Sequence, residues 1–83
     1  MTTLTLYTAP WCQPCKRALP LVQQFAEQRG LQLEIVDIDE QPKRAVAAGV
    51  MGVPTLVSTL ADGTQRTHRA VPTLGDLKRL VEE

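Results

Sequence analysis

Leu4 and Leu6 alternate with Thr5 and Tyr7 across residues 3–8, the period-2 rhythm of a strand rich in β-formers. Pro10 breaks the rhythm by pushing Ala9 out of the helical region. From about Cys12 to Arg29, Ala18, Leu19, Val22, Phe25 and Ala26 recur at helical spacing, and Gly30 offers a left-handed terminator. Leu31, Leu33 and Ile35 open a second alternating run that continues through Val36 and Ile38. Asp39 suits the N-cap of a short helix reaching about Ala48 and closed by Gly49. Residues 55–60 form a third strand, and Asp62-Gly63 is a two-residue hairpin signal leading into a polar partner strand over residues 65–70, suited to a sheet edge. Thr73 with Asp76 three residues on matches a capping box. It opens a last helix that places Leu74, Leu77, Leu80 and Val81 on one face.

The order is therefore β-α-β-α-β-β-α. A helical crossover joins the first two strands, which makes them parallel and right-handed, and the last two strands form a hairpin. The expected fold is α/β, with helices covering a four-stranded mixed sheet. Eighty-three residues suffice for a single domain over residues 1–83, and 43% hydrophobic residues give it a modest core. Nine basic residues balance nine acidic ones, so no strong field points to nucleic acid or to an anionic membrane surface. No apolar run approaches the roughly 18 residues that cross a bilayer. The N-terminal stretch lacks the basic and apolar regions of a signal peptide, so a cytoplasmic protein is expected.

Both cysteines of the chain fall in "PWCQPCKRALP", residues 10–20. In a reducing compartment structural disulfides are rare, and a close pair points to redox or metal chemistry. A closed zinc site needs four ligands. Two cysteines and a single histidine, His68, do not supply them. Cys12 at the mouth of the first helix faces unpaired backbone N–H groups and the positive end of the dipole, which favour the thiolate. Lys16 and Arg17 add positive charge one turn on. Cys15 lies on the same helix face, within a small adjustment of disulfide geometry. Cys12 can then attack a substrate disulfide, and Cys15 can resolve the mixed disulfide. Pro14 costs nothing in a first turn and stiffens the loop between the sulfurs.

"WCQPCK" followed by "GVPTL" at residues 52–56 resembles the thioredoxin superfamily, and the resemblance runs the length of the chain. It implies a thioredoxin fold without the first strand and helix of the longer members. Cys12 and Cys15 would be the catalytic pair, closing as the redox-active disulfide with no bound cofactor and no metal. Trp11, Gln13, Pro14, Lys16 and Pro54 would shape the site, with Val53-Pro54 a cis peptide. Gly52, Val53 and Val71 would meet substrate, the backbone of Val53 pairing with the substrate chain in strand fashion, and Trp11 and Met51 would extend an apolar rim. Pro20 matches a proline that kinks this helix in thioredoxins.

Several positions depart from the thioredoxin pattern. Leu6 stands where thioredoxins bury an Asp, Ile35 where they carry an interior Lys, and Ala70 where they place a Gly near the site. The chain begins where glutaredoxins begin, but "AVPTLGD" lacks their Gly-Gly-x-Asp segment. The resemblance implies a small protein-disulfide reductase, a monomer acting on disulfide-containing proteins, with an NADPH-dependent thioredoxin reductase as electron donor. Two alternatives stand beside it: a glutaredoxin-like or ribonucleotide-reductase-donating redoxin, and a non-catalytic redox-sensing or binding module that keeps the fold. His68 reads as an ordinary edge-strand residue.

Overall fold

A computed structural model describes residues 2–82. Strand β1 (Thr3–Thr8) leads into helix α1 (Gln13–Arg29), followed by β2 (Gln32–Asp37), α2 (Pro42–Ala47), β3 (Thr55–Thr59), β4 (Gln65–His68) and α3 (Leu74–Val81). The sheet order is β2-β1-β3-β4. β1 pairs with β2 in parallel, as a helical crossover requires, and β3 is antiparallel to both β1 and β4. This is the mixed α/β architecture that the hydrophobic pattern implies.

Alternation decides what each face of the sheet buries. Leu4 and Leu6 on β1 and Leu56 on β3 share one face and are wholly buried against Val22, Phe25 and Ala26 of α1 and Leu77 and Leu80 of α3. Each fully buried aliphatic side chain contributes about 1.5–3 kcal/mol relative to exposure. Ser58, on the same face, is also fully buried; its Oγ donates to the Leu80 carbonyl at 2.6 Å and so ties α3 to β3. A second cluster on the opposite face joins Tyr7, Val36 and Val57 to Ile38, Val50 and Val53.

The helix ends follow local chemistry. Gly30 ends α1 in the left-handed region at φ 63°, and its N–H returns to the last turn. Thr73 and Asp76 form the full capping box at α3: the Asp76 N–H donates to Thr73 Oγ1 at 3.1 Å, and the Thr73 N–H donates to Asp76 Oδ2 at 2.9 Å. Helix α1 continues through the exposed Pro20.

Two sequence expectations need correction, the N-cap of α2 and the ends of the last two strands. Asp39 does not cap α2. The N-cap is Gln41, without a side-chain bond, because Asp37 organises the preceding turn: its Oδ1 accepts the Asp39 N–H and its carbonyl accepts those of Glu40 and Gln41. Leu74 shares its helix face with Leu77 and Leu80 as expected, but as the first residue of α3 it stays 60% exposed while they are buried. Ile35, on the edge strand β2, is 42% exposed. Strands β3 and β4 end at Thr59 and His68, short of the expected Leu60 and Ala70.

Candidate active site

The chain leaves the end of β1 through a tight turn in which the Cys12 N–H donates to the Ala9 carbonyl at 3.2 Å. Cys12 itself is the N-cap of α1, with extended backbone and its Sγ accepting the Cys15 N–H at 3.2 Å. A cysteine sulfur thus occupies the place usually taken by a capping oxygen, where an anion is best stabilised. No acidic residue stands in the first turn of α1 to offset that effect. Cys12 and Cys15 are joined as a disulfide, with Cα atoms 5.3 Å apart. Both are almost wholly buried, at 4% and 2% exposure.

The walls of this pocket are apolar. Ala9 shares it with the two cysteines, and Ile38 and Val53 pack against them. Among the described residues, the buried polar side chains are Thr2, Thr55 and Ser58, and no charged side chain is buried. The Val53–Pro54 peptide is cis and enters β3 directly, with Pro54 buried. The Gly52 carbonyl accepts the Thr55 hydroxyl at 2.7 Å, which braces this segment from within. Neither the N–H nor the C=O of Val53 has a hydrogen-bond partner among the described residues.

The remaining candidates surround the cysteines at different depths. Gln13 and Lys16 are exposed and Pro14 is half-buried. Trp11 is 65% exposed, and its Nε1–H donates to Asp39 Oδ2 at 3.0 Å, which ties the ring to the segment between β2 and α2. Met51 is 96% exposed. Val71 sits half-buried in the connector between β4 and α3, and of the residues expected to meet substrate only Val53 packs on the cysteine pair. Sequence reasoning missed Ile38 as a wall and Asp39 as the partner of Trp11. No spacing announces a bond between residues 28 positions apart. It also passed over His68, whose Nε2 lies 3.4 Å from Asp76 Oδ2. Among the described residues no group of three or more His, Cys, Asp or Glu side chains could hold a metal ion. None of the described helices is long and apolar enough to cross a membrane.

A family model described as Thioredoxin matches residues 1–83. A thioredoxin of Listeria monocytogenes is 43% identical over 56 residues, covering 65% of this chain and 54% of the relative. The SPbeta prophage-derived thioredoxin-like protein YosR of Bacillus subtilis is 39% identical over 62 residues, covering 75% of this chain and 71% of that protein. Among solved structures, a mutant thioredoxin from Halobacterium salinarum NRC-1 superposes with a TM-score of 0.86 at 39% identity, covering 98% of this chain and 72% of the other. The chain spans about half the length of the Listeria relative it matches.

Proposed function

Because the chain belongs to the thioredoxin family, we propose that it is a thiol–disulfide oxidoreductase that reduces disulfides of protein substrates through Cys12 and Cys15. The observation that carries this reading is the sulfur at the mouth of α1, accepting a helix N–H with its partner cysteine already bonded to it. In the reduced protein the same N–H and dipole favour the Cys12 thiolate, the form that attacks. Attack forms a Cys12–substrate disulfide and releases one substrate sulfur as thiolate. Cys15 then loses its proton and displaces the second substrate sulfur from Cys12, restoring the Cys12–Cys15 disulfide. Two electrons pass to the substrate.

Apolar walls determine where the Cys15 proton goes. With Ala9, Ile38 and Val53 around the pair and no charged side chain buried among the described residues, the proton leaves by the site mouth, to the departing substrate thiolate or to water. Leu6, fully buried at the position where the family's Asp was expected, fits this route. Trp11, Gln13, Pro14, Lys16 and Pro54 shape the mouth, and Gly52, Val53 and Val71 receive the substrate chain. The unpartnered backbone groups of Val53 support strand-like pairing there. Electrons come from an NADPH-dependent thioredoxin reductase, and the protein works in the cytoplasm as a monomer.

Reduction of insulin disulfides by dithiothreitol tests the reading. The wild-type protein accelerates precipitation of the freed insulin chain, and Cys12→Ser abolishes the acceleration. Equal rates with the two proteins would refute a catalytic role for this site.

A further inference from the structure

One carboxylate lies against both ends of the connector that carries Val71, bonded at one and in close approach at the other. The connector spans residues 69–73, from the end of β4 to the N-cap of α3. At its far end the Thr73 N–H donates to Asp76 Oδ2 at 2.9 Å. At its near end His68 Nε2 approaches the same oxygen at 3.4 Å. Both side chains are mostly buried, His68 at 27% and Asp76 at 18% exposure. Asp76 Oδ1 is taken up by Arg79 at 2.5 Å, while Arg66 reaches the Arg79 carbonyl at 2.7 Å. The Thr73 N–H above all, with His68 and Arg79 adding to it, holds the Asp76 carboxyl below the usual carboxylate range, so the anchor is an anion at neutral pH.

His68 Nε2 is itself buried and makes no hydrogen bond at its present distance and angle. A nitrogen lone pair set against a carboxylate oxygen would be repulsive. Hydrogen on Nε2 instead turns a donor toward the Asp76 side of the ring, so the pair meets as a polar contact at 3.4 Å. Pro72 is buried and Val71 half-buried between these ends, while Arg69 and Ala70 are exposed.

We propose that His68 and Asp76 are positioning residues: by closing the base of the 69–73 connector they hold Val71 in the conformation that receives a polypeptide substrate. The inference rests on the oxidoreductase reading above. Its physical content is a population. If the connector opens, only the closed fraction binds substrate, and apparent affinity falls by that fraction. Losing the His68–Asp76 contact, at about 1 kcal/mol, lowers the closed population up to about fivefold. A small disulfide that needs no connector wall does not register the loss.

The test compares two substrates. Reduced wild-type, His68→Leu and His68→Gln proteins are mixed with insulin and, separately, with a small aromatic disulfide, and second-order rates are followed by the fluorescence of Trp11, the only tryptophan. His68→Leu should slow the insulin reaction by about fivefold while the small-disulfide rate stays within about twofold, and His68→Gln, which keeps a donor, should recover the insulin rate. An unchanged insulin rate in His68→Leu overturns the proposal. So does a parallel loss on both substrates, which would place the effect at Cys12 or in the fold as a whole, and so does a failure of Gln to recover the rate. A wild-type protein that reacts with the small disulfide but not with insulin would remove the protein-reductase reading instead, and this inference with it.

Discussion

On β1, Leu4 and Leu6 point into α1 and α3 and are fully buried, while Thr3 and Thr5, their immediate neighbours, point the other way into an open groove of ≈ 540 Å³. The same division continues across the sheet. Leu56 and Ser58 of β3 lie under the helices; Thr59, Gln65 and Thr67 line the groove, which only the six-residue α2 flanks. One face is held together by burial along its whole length; the other buries only the cluster of Tyr7, Val36 and Val57, and beside it the threonines, Gln65 and the Glu34–Arg44 pair tolerate water in the groove. The cysteines depend on the covered face, since α1, which Cys12 caps, packs through Val22, Phe25 and Ala26. The groove face reaches the site only through Tyr7, Val36 and Val57, whose cluster shares Ile38 and Val53 with the cysteine pocket.

Adjacent residues of one strand give the sharpest test of this division. Leu6→Ala should destabilise the protein by about 2–5 kcal/mol through lost transfer energy and the cavity left under α1. Thr5→Ala should cost no more than about 1 kcal/mol, the range of strand propensity at a partly exposed position. Urea denaturation of the two variants measures both. Comparable losses would mean that the groove face carries as much of the fold as the helical face, and the two faces would then be equal partners in stability.

Much of this arrangement was legible in the sequence, and the unread parts share a cause. Periodicity reports which way a side chain points, so Leu4, Leu6 and Leu77 were placed correctly from spacing alone. It does not report what stands opposite. Ile35 points the same way as Leu6, with which it is paired in register, but lies on the edge strand and stays 42% exposed. Leu74 has the spacing of a core residue but, at the first position of α3, is 60% exposed. The cysteine spacing at the start of a helix was readable because it is local. The Trp11–Asp39 and His68–Asp76 contacts were not, because each joins elements whose approach is fixed by the assembled sheet.

Ser58 sharpens the comparison at an intermediate scale, being a polar residue on the apolar face. Its hydroxyl satisfies the Leu80 carbonyl where the end of α3 crosses β3. Ser58→Ala leaves that buried acceptor unpaired and should cost about 1–3 kcal/mol by denaturant titration. Thr59→Ala, one residue on and facing the groove, should lie within about 1 kcal/mol of wild type. A neutral Ser58→Ala would show that water or a backbone shift replaces the bond, and that burial alone secures α3.

The smallest effect is expected from the most conspicuous contact on the groove face. Arg44 of α2 grips Glu34 of β2 in a bidentate pair at 2.5 and 2.6 Å, with both side chains more than two-fifths exposed. The Arg44 hydrogen bonds lower the Glu34 pKa below its ordinary value. A depressed carboxyl contributes stability that is present above the unfolded pKa, about 4.3 for Glu, and is lost as pH falls through the lower folded value. Glu34→Gln should therefore be slightly less stable than wild type at neutral pH and low salt, and the gap should close both on acidification and at high salt, as screening of an exposed pair requires. Denaturation midpoints of the two proteins across that pH range check the sign. A gap that persists in high salt and survives acidification would mean that Glu34 acts by packing α2 against the sheet rather than by charge, and the groove face would then hold a packed element rather than a solvated one.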